Sequence, residues 1–378
     1  MRFSFTTEQQ AFRQELKDFL EEETATSGKP DGGFDQAFSK KLADRGWIGV
    51  AWPQEFGGKG LGAIEQMIYT EEMILHDAPR GYHFTAERQV GPSLIRHGTP
   101  EQKRDWLPKI MGADVSFALG LSEPEAGSDL ASVKTRAVRD GDEYVVNGQK
   151  IWTSGAHQSD CIWLVTRTDP DAPKHKGISC MMVDLDSPGI TIQPLWDMSG
   201  GHHFNEVFFE DVRVPMNRRV GDENHGWYIL AEHLDFERSG IERLVDTEKV
   251  FRDLLDIARE QAKRGALDPA VRAKLAELHI EVEVGRLMCY RVAWMQSQGL
   301  VPNKEASAAK VYGTEWSQRM TNTAMQLLGM EAAASKPGTF ADHARTTYLH
   351  AVSRTIAGGT SEIQRNIVAT RGLGMPRS

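Results

Sequence analysis

Glu237 stands in a stretch that otherwise reads as the apolar face of a helix. Leu230, Leu234, Ile241 and Leu244 recur at helical spacing over residues 230–245, and Glu237 falls on the same face between Leu234 and Ile241. Burying a carboxylate unpaired is costly. Burial also raises its pKa toward neutrality, which suits a general base that removes a weakly acidic proton. The other reading is a structural pair with an arginine, for which Asp235, Arg238, Glu242 and Arg243 supply the neighbouring charges. Near the C-terminus, Gly358-Gly359-Thr360-Ser361-Glu362 precedes Ile363. That order predicts a helix N-cap at Thr360 with an acidic first turn, and a helix N-terminus also suits a pyrophosphate.

The elements that must position these groups change period along the chain. The first third reads as helices: Thr6 or Thr7 caps the first, with Phe12, Leu16, Phe19 and Leu20 on one face, and helical spacing resumes over 64–76. The middle reads as short strands between turn signals. Lys134–Arg139 and Glu143–Val146 flank Asp-Gly-Asp, Asn147-Gly148 reads as a second turn, and further runs follow at Cys161–Thr166, Ile178–Asp184, Ile190–Gln193 and Glu206–Val214. This pattern predicts a compact antiparallel β-domain. From about Gly226 the helical period returns. Val271, Leu275, Leu278, Val282, Gly285, Cys289 and Val292 make a regular seam, and 241–263, 304–328 and 339–371 are also helical in pattern. The expected fold is mainly α with a central β-domain: an N-terminal helical domain (1–113), a middle antiparallel β-domain (114–218) and a C-terminal four-helix bundle (219–378).

Composition narrows the function classes. A net charge of −9 argues against broad nucleic-acid or anionic-membrane binding. Cys161, Cys180 and Cys289 are far apart and form no CxxC, as expected of reduced thiols in a cytoplasmic protein. Charged Glu8, Glu15, Lys17 and Asp18 occupy the place of a signal peptide's apolar run, and no 18-residue apolar run predicts a membrane span. Gly58–Ala63 fits GxGxxA, but it follows a poor strand outside any βαβ unit and reads as a Gly-rich loop. No metal site is expected: His202-His203 alone does not make one.

Four segments, in order, resemble the acyl-CoA dehydrogenase family of flavoproteins. They are Trp47–Gly60 with Tyr69-Thr70-Glu71-Glu72; Leu119-Gly-Leu-Ser-Glu-Pro-Glu-Ala-Gly-Ser-Asp129; Asn147-Gly-Gln-Lys-Ile-Trp-Thr-Ser154, continued by Asn205–Pro215; and Gly358–Gly372. The resemblance implies an enzyme that binds FAD and desaturates an acyl-CoA thioester to the trans-2-enoyl-CoA, passing electrons to an electron-transfer flavoprotein. It implies cofactor contacts at Leu121, Ser122, Gly127, Ser128, Trp152, Ser154, Thr360 and Glu362. Trp152 reads otherwise as an ordinary β-domain core aromatic. Gln326 matches a FAD contact usually supplied by a neighbouring subunit, and Arg264 reads either as a phosphate ligand or as a solvated loop residue. Ser128, Asp235, Arg238 and Gly358 are the implied substrate contacts.

The commonest family pattern has its catalytic glutamate immediately before the C-terminal Gly-Thr, where this chain has Gly358. Leu234-Asp-Phe-Glu-Arg238 is similar to the segment that carries the alternative glutamate of the isovaleryl- and long-chain-type enzymes, so the resemblance also points to Glu237. In the family that placement goes with branched, long or ring-bearing acyl groups, and Ala357, Gly358 and Gly359 leave little side-chain volume. A homotetramer or homodimer is expected, with a heterotetramer as the other assembly. The competing functions are an FAD-binding or structural subunit of a heteromeric dehydrogenase, and an acyl-CoA oxidase or flavin monooxygenase on the same fold.

Overall fold

The structure, a computed structural model, describes residues 4–26, 33–236 and 240–376. Its elements run in chain order: helices α1 (Thr7–Thr26), α2 (Gln36–Asp44), α3 (Ala63–Leu75), α4 (Gly91–His97) and α5 (Pro100–Met111); strands β1 (Phe117–Gly120), β2 (Arg136–Asp140), β3 (Glu143–Lys150), β4 (Cys161–Arg167), β5 (Ile178–Asp184), β6 (Ile190–Leu195), β7 (Phe204–Pro215) and β8 (Arg219–Val220); then helices α6 (Gly226–Phe236), α7 (Ile241–Lys263), α8 (Pro269–Ser297), α9 (Asn303–Leu328), α10 (Met330–Ala333), α11 (Phe340–Arg354) and α12 (Ser361–Ile367). The expected order of helices, β-domain and helices is present. The elements form two compact units. One contains α1, α3 and the helices from α7 onward; the other contains α2, α4, α5, the sheet and α6.

In the helical unit, the seam read from α8 is a buried face. Leu275, Leu278, Val282, Gly285, Cys289 and Val292 are all buried, and Val271 packs at the edge. Leu275, Leu278 and Val282 share one core with Leu244, Phe251 and Leu254 of α7 and Trp316 and Met320 of α9, with Ala344 of α11 closing it. Trp316 Nε1 donates to Leu278 O at 3.0 Å, so its ring is buried without leaving the N–H unpaired. The 339–371 segment is not one helix. It breaks after Arg354 and restarts at Ser361, with Gly358 and Gly359 both at positive φ between.

In the sheet unit the strand order is β6-β7-β3-β2-β4-β5-β8, mostly antiparallel. The expectation of an antiparallel domain needs one correction: β1 pairs with β4 in parallel, and β2 touches β4 in parallel at Arg136 and Arg167. Asn147-Gly148 is not a turn. It lies within β3 opposite a bulge in β7, where the step from Val212 to Phe209 is one residue longer than that from Val146 to Gly148, and Gln149 and Lys150 go on to pair with Phe208 and Val207. A further correction concerns residues 230–245, which do not form one helix. Helix α6 ends at Phe236 and α7 begins at Ile241, with Gly240 at φ +67°, a left-handed conformation that a right-handed helix cannot pass through. Leu230 belongs to the core of the sheet unit, while Ile241 and Leu244 are buried in the helical unit. The single apolar stripe that framed Glu237 is therefore two faces of two helices. Glu237 and Arg238 lie outside the described residues.

Candidate active site

The residues singled out in the sequence divide between the two units, and each set has its own geometry.

In the sheet unit, the loop after β1 closes on itself through Glu123 N–H to Ala126 O (2.9 Å) and Ala126 N–H to Glu123 O (3.0 Å). The Glu123 carboxylate anchors it. One oxygen accepts Lys134 N–H at 2.6 Å; the other accepts Thr135 N–H at 2.9 Å and Lys150 Nζ at 2.8 Å. Lys150 is fully buried at the end of β3 and also donates to Leu121 O at 3.0 Å. Burial pushes its ammonium down to about 8 despite the opposing pull of Glu123. Burial raises the Glu123 carboxyl, but Lys150 and the N–H donors outweigh it and hold the group below its ordinary value. Leu121 and Ser122 are half-buried, whereas Gly127 and Ser128 are exposed, with open space where a Gly127 side chain would be.

The segment after β3 is tied to this loop and to β7. Ile151 N–H donates to Ser122 O at 3.0 Å. Thr153 N–H donates to Asn205 O, and the buried Asn205 amide returns a bond to Thr153 O, each at 3.0 Å. Asn205 also reaches His202 at 2.8 Å and His157 at 3.1 Å, and those two rings stack at 4.0 Å. Between these ties Trp152 takes φ +59°, uncommon for so large a side chain and costly by about 1–3 kcal/mol. The residue is 55% exposed, and its ring meets Phe204 edge-on at 5.7 Å. A strained backbone that presents an apolar ring to the surface is not the geometry of a core aromatic. Ser154 beside it is exposed. An exposed flat ring, hydroxyls and a side-chain-free approach at Gly127 suit a planar ligand with polar edges.

In the helical unit, the turn at 355–360 is fixed by Ser361 N–H to Thr355 O (2.9 Å), Gln364 Nε2 to Gly358 O (3.0 Å) and Lys310 Nζ to Gly359 O (2.7 Å). Lys310 is buried, and burial together with the Arg243 charge pushes its ammonium down to about 8. Gly358 has φ +65°, and a Cβ there would lie 2.7 Å from Arg243 Nη2. Thr360 caps α12, accepting Ile363 N–H at 3.2 Å. Backbone N–H bonding and the Thr360 hydroxyl hold the Glu362 carboxyl below its ordinary value. Thr360, Glu362, Thr355, Gln318 and Arg319 line an open cleft of about 440 Å³.

Family models match the chain in three consecutive pieces: the acyl-CoA dehydrogenase N-terminal domain over 6–114, the middle domain over 118–212 and the C-terminal domain over 224–373. The chain belongs to the acyl-CoA dehydrogenase family. It is 36% identical, over the whole of both chains, to the acyl-CoA dehydrogenase FadE26 of Mycobacterium tuberculosis (strain ATCC 25618 / H37Rv). Among solved structures it resembles the Tcur3481-Tcur3483 steroid ACAD, with 35% identity, TM-score 0.90 and full coverage of both chains. It also resembles the ChsE4-ChsE5 complex from Mycobacterium tuberculosis, with 35% identity, TM-score 0.86 and full coverage of both chains. The family assignment identifies the enzyme as an acyl-CoA dehydrogenase, and no described helix is long and apolar enough to cross a membrane.

Within this family frame, the structure brings Leu121, Ser122, Trp152 and Ser154 onto two cross-tied segments, and Gly358, Thr360 and Glu362 onto one turn. It does not bring Gln326 or Arg264 into the hydrogen bonds of that turn; both are exposed, Gln326 on α9 and Arg264 just after α7. Asp235 lies in α6, and its side chain is not described. Sequence reasoning gave no role to Lys150, Asn205, Lys310 or Arg319. Lys150 did carry a signal: it has the same strand parity as the inward-facing Tyr144 and Val146, which is unusual for a lysine.

Proposed function

We propose that this chain is the FAD-dependent catalytic chain of its acyl-CoA dehydrogenase, forming the trans-2-enoyl-CoA with Glu237 as the base. The observation that carries this reading is the turn at Gly358. Positive φ, a missing side chain and Arg243 crowding the place where one would start leave no carboxylate at the commonest family position. The base is then supplied from elsewhere, and Glu237 occupies the position that resembles the family's alternative glutamate. An α-C–H is a very weak acid, so the base must be close, the thioester carbonyl polarised and water excluded. Gly358 N–H donates to no acceptor among the described residues and is the proposed donor to that carbonyl. FAD, when bound, accepts the β-hydrogen with its electron pair.

Leu121, Ser122, Gly127, Ser128, Trp152, Ser154, Thr360 and Glu362 are the proposed holders of the cofactor, with Gln326 and Arg264 as contributors. Ser128, Asp235, Arg238 and Gly358 would hold the CoA thioester. A bulky or cyclic acyl group fits the small Ala357, Gly358 and Gly359, and the steroid named for the Tcur3481-Tcur3483 enzyme supports it. An electron-transfer flavoprotein is the proposed acceptor. A domain division at 113/114 and 218/219 belongs to the same reading.

Glu237→Gln should keep FAD and lose turnover by on the order of several powers of ten in an acyl-CoA panel with an artificial acceptor. Near-wild-type turnover would remove Glu237 from the mechanism. The two-chain name of the ChsE4-ChsE5 complex favours a second reading, in which this chain needs a homologous partner. A purified chain lacking FAD that gains it on adding a homologous chain would establish that assembly.

A further inference from the structure

We propose that Lys150 is a positioning residue for the cofactor: its ammonium holds the Leu121 carbonyl inward, so that the Ser122 N–H of the same peptide points outward to donate to an electron-rich edge of the flavin ring. The inference rests on the FAD reading above and adds a residue which that reading does not use.

In a planar trans peptide the carbonyl oxygen and the next N–H point in opposite directions. Lys150 Nζ fixes one end of the 121–122 peptide at 3.0 Å. The following carbonyl, Ser122 O, is taken by Ile151 N–H at 3.0 Å. Both carbonyls are thus committed to protein donors, while Ser122 N–H donates to no acceptor among the described residues. Leu121 and Ser122 are half-buried, so water reaches this donor only in part. A donor that water reaches only in part is incompletely satisfied, and a ligand acceptor would satisfy it. The acceptor class is a carbonyl oxygen or ring nitrogen of a pyrimidine-like edge.

The ammonium itself needs explaining. Lys150 is fully buried beside Glu123, Cys180 and Leu121 O. Buried ion pairs are weak stabilisers, and an apolar side chain of similar size is often as good or better. An apolar residue would, however, leave Leu121 O without a donor and the peptide free to turn. A bond from an ammonium also polarises the peptide and strengthens its N–H as a donor. Reduction adds negative charge to the ring edge, so a stronger donor there favours the reduced cofactor. The same strand end carries Ile151, which ties Ser122, and then Trp152 with its exposed ring. One buried lysine therefore sets both segments that face outward.

The test uses full-length protein and the pair-deleted variant Lys150→Met/Glu123→Gln, which leaves no unpaired buried charge. FAD affinity is measured by titrating apoprotein, and the two-electron midpoint potential by dye equilibration. The expected result is a folded variant that binds FAD at least tenfold more weakly. Its reduced-to-oxidised preference should fall about tenfold, which for two electrons is about 30 mV. Wild-type affinity and potential in the folded variant would overturn the proposal. If the variant does not fold, hydrogen exchange at the Ser122 amide of the wild type decides: FAD should slow it at least tenfold, and unchanged exchange would overturn the proposal. A wild type that binds no FAD would instead sink the cofactor reading itself.

Discussion

Buried charge is used in two ways in this molecule. In the helical unit, Glu71 and Glu72 of α3 are fully buried and Glu248 of α7 nearly so. Arg286 of α8 bridges Glu71 and Glu248; Arg13 of α1 bonds Glu71 at 2.8 Å and meets Glu72 at 3.1 Å; Tyr290 donates to Glu71 at 2.9 Å. Burial opposes the Arg286 charge, but the two glutamates outweigh it and raise its pKa. Apart from Glu248, which also bonds Arg252, these bonds run between side chains of different helices, α1, α3, α7 and α8. In the sheet unit the pair Lys150–Glu123 is as deeply buried, yet its bonds run to backbone: Leu121 O, Lys134 N–H and Thr135 N–H. The first network joins helices, and the second sets the orientation of peptides beside a surface. Of these two networks, the charge bonded to backbone lies beside the candidate site, and the charges bonded to other side chains lie in the packing between helices.

The comparison predicts its largest contrast at Arg286. Arg286→Met leaves two buried carboxylates short of a donor and should cost about 3 kcal/mol, the lower end for a broken buried pair. Arg13 and Tyr290 still serve Glu71, and Arg252 still serves Glu248 at 2.7 Å. At roughly 1–2 °C per kcal/mol for a chain of this size, Tm should fall by about 3–6 °C. The flavin spectrum should not change, and calorimetry with a visible spectrum checks both. A spectral change with little loss of Tm would reverse the assignment of the two networks.

The same contrast explains what was legible in the sequence. The α8 seam and the Thr360 cap depend on neighbours within a few residues, and local spacing shows them. Glu71-Glu72 and Lys150 were visible within family-like segments, but their partners are distant: Arg286 lies 215 residues from Glu71, and Glu123 lies 27 from Lys150. Local pattern misled at Asn147-Gly148 and over 230–245. Asn147-Gly148 has the composition of a turn, but a partner strand keeps pairing past it, and Gly148 lies so close to Thr135 that a Cβ would be 2.7 Å from its Cα. Residues 230–245 have helical spacing throughout, but spacing carries no information about the sign of φ at Gly240. The family resemblance supplied what spacing could not, since it located the 121–129 and 147–154 segments without showing what holds them.

Thr360 tests the comparison at a smaller scale, because its hydroxyl already serves the backbone as a cap. Thr360→Ala should cost between about 0.5 and 2 kcal/mol of stability through the lost cap. If Thr360 also faces the cofactor, FAD affinity falls in the same variant, and Thr360→Ser restores both. Lost stability with unchanged FAD affinity would move Thr360 from the site to the packing side.

The smallest effect is a pH dependence, and it separates stability from binding. Lys150 has a folded pKa of about 8 against an ordinary value of 10.5. Between those values the unfolded chain keeps a proton that the folded chain has released, so this group's contribution to stability rises with pH across that window. Cofactor affinity should move the other way. Above about pH 8 the neutral amine still donates to Leu121 O but without charge assistance, a loss of under about 1 kcal/mol, or up to about fivefold in affinity. The groups facing Lys150 leave the window largely to it. Glu123 is held ionised, Arg167 stays cationic, and burial pushes the Cys180 thiol up to about 12. FAD titrations from pH 7 to 10 on wild type and on Lys150→Met/Glu123→Gln isolate the term. A decline centred near pH 8 in the wild type and absent from the variant ties it to Lys150. The same decline in both would place it in another group and leave the Lys150–Glu123 pair, like the Arg286 network, a matter of packing alone.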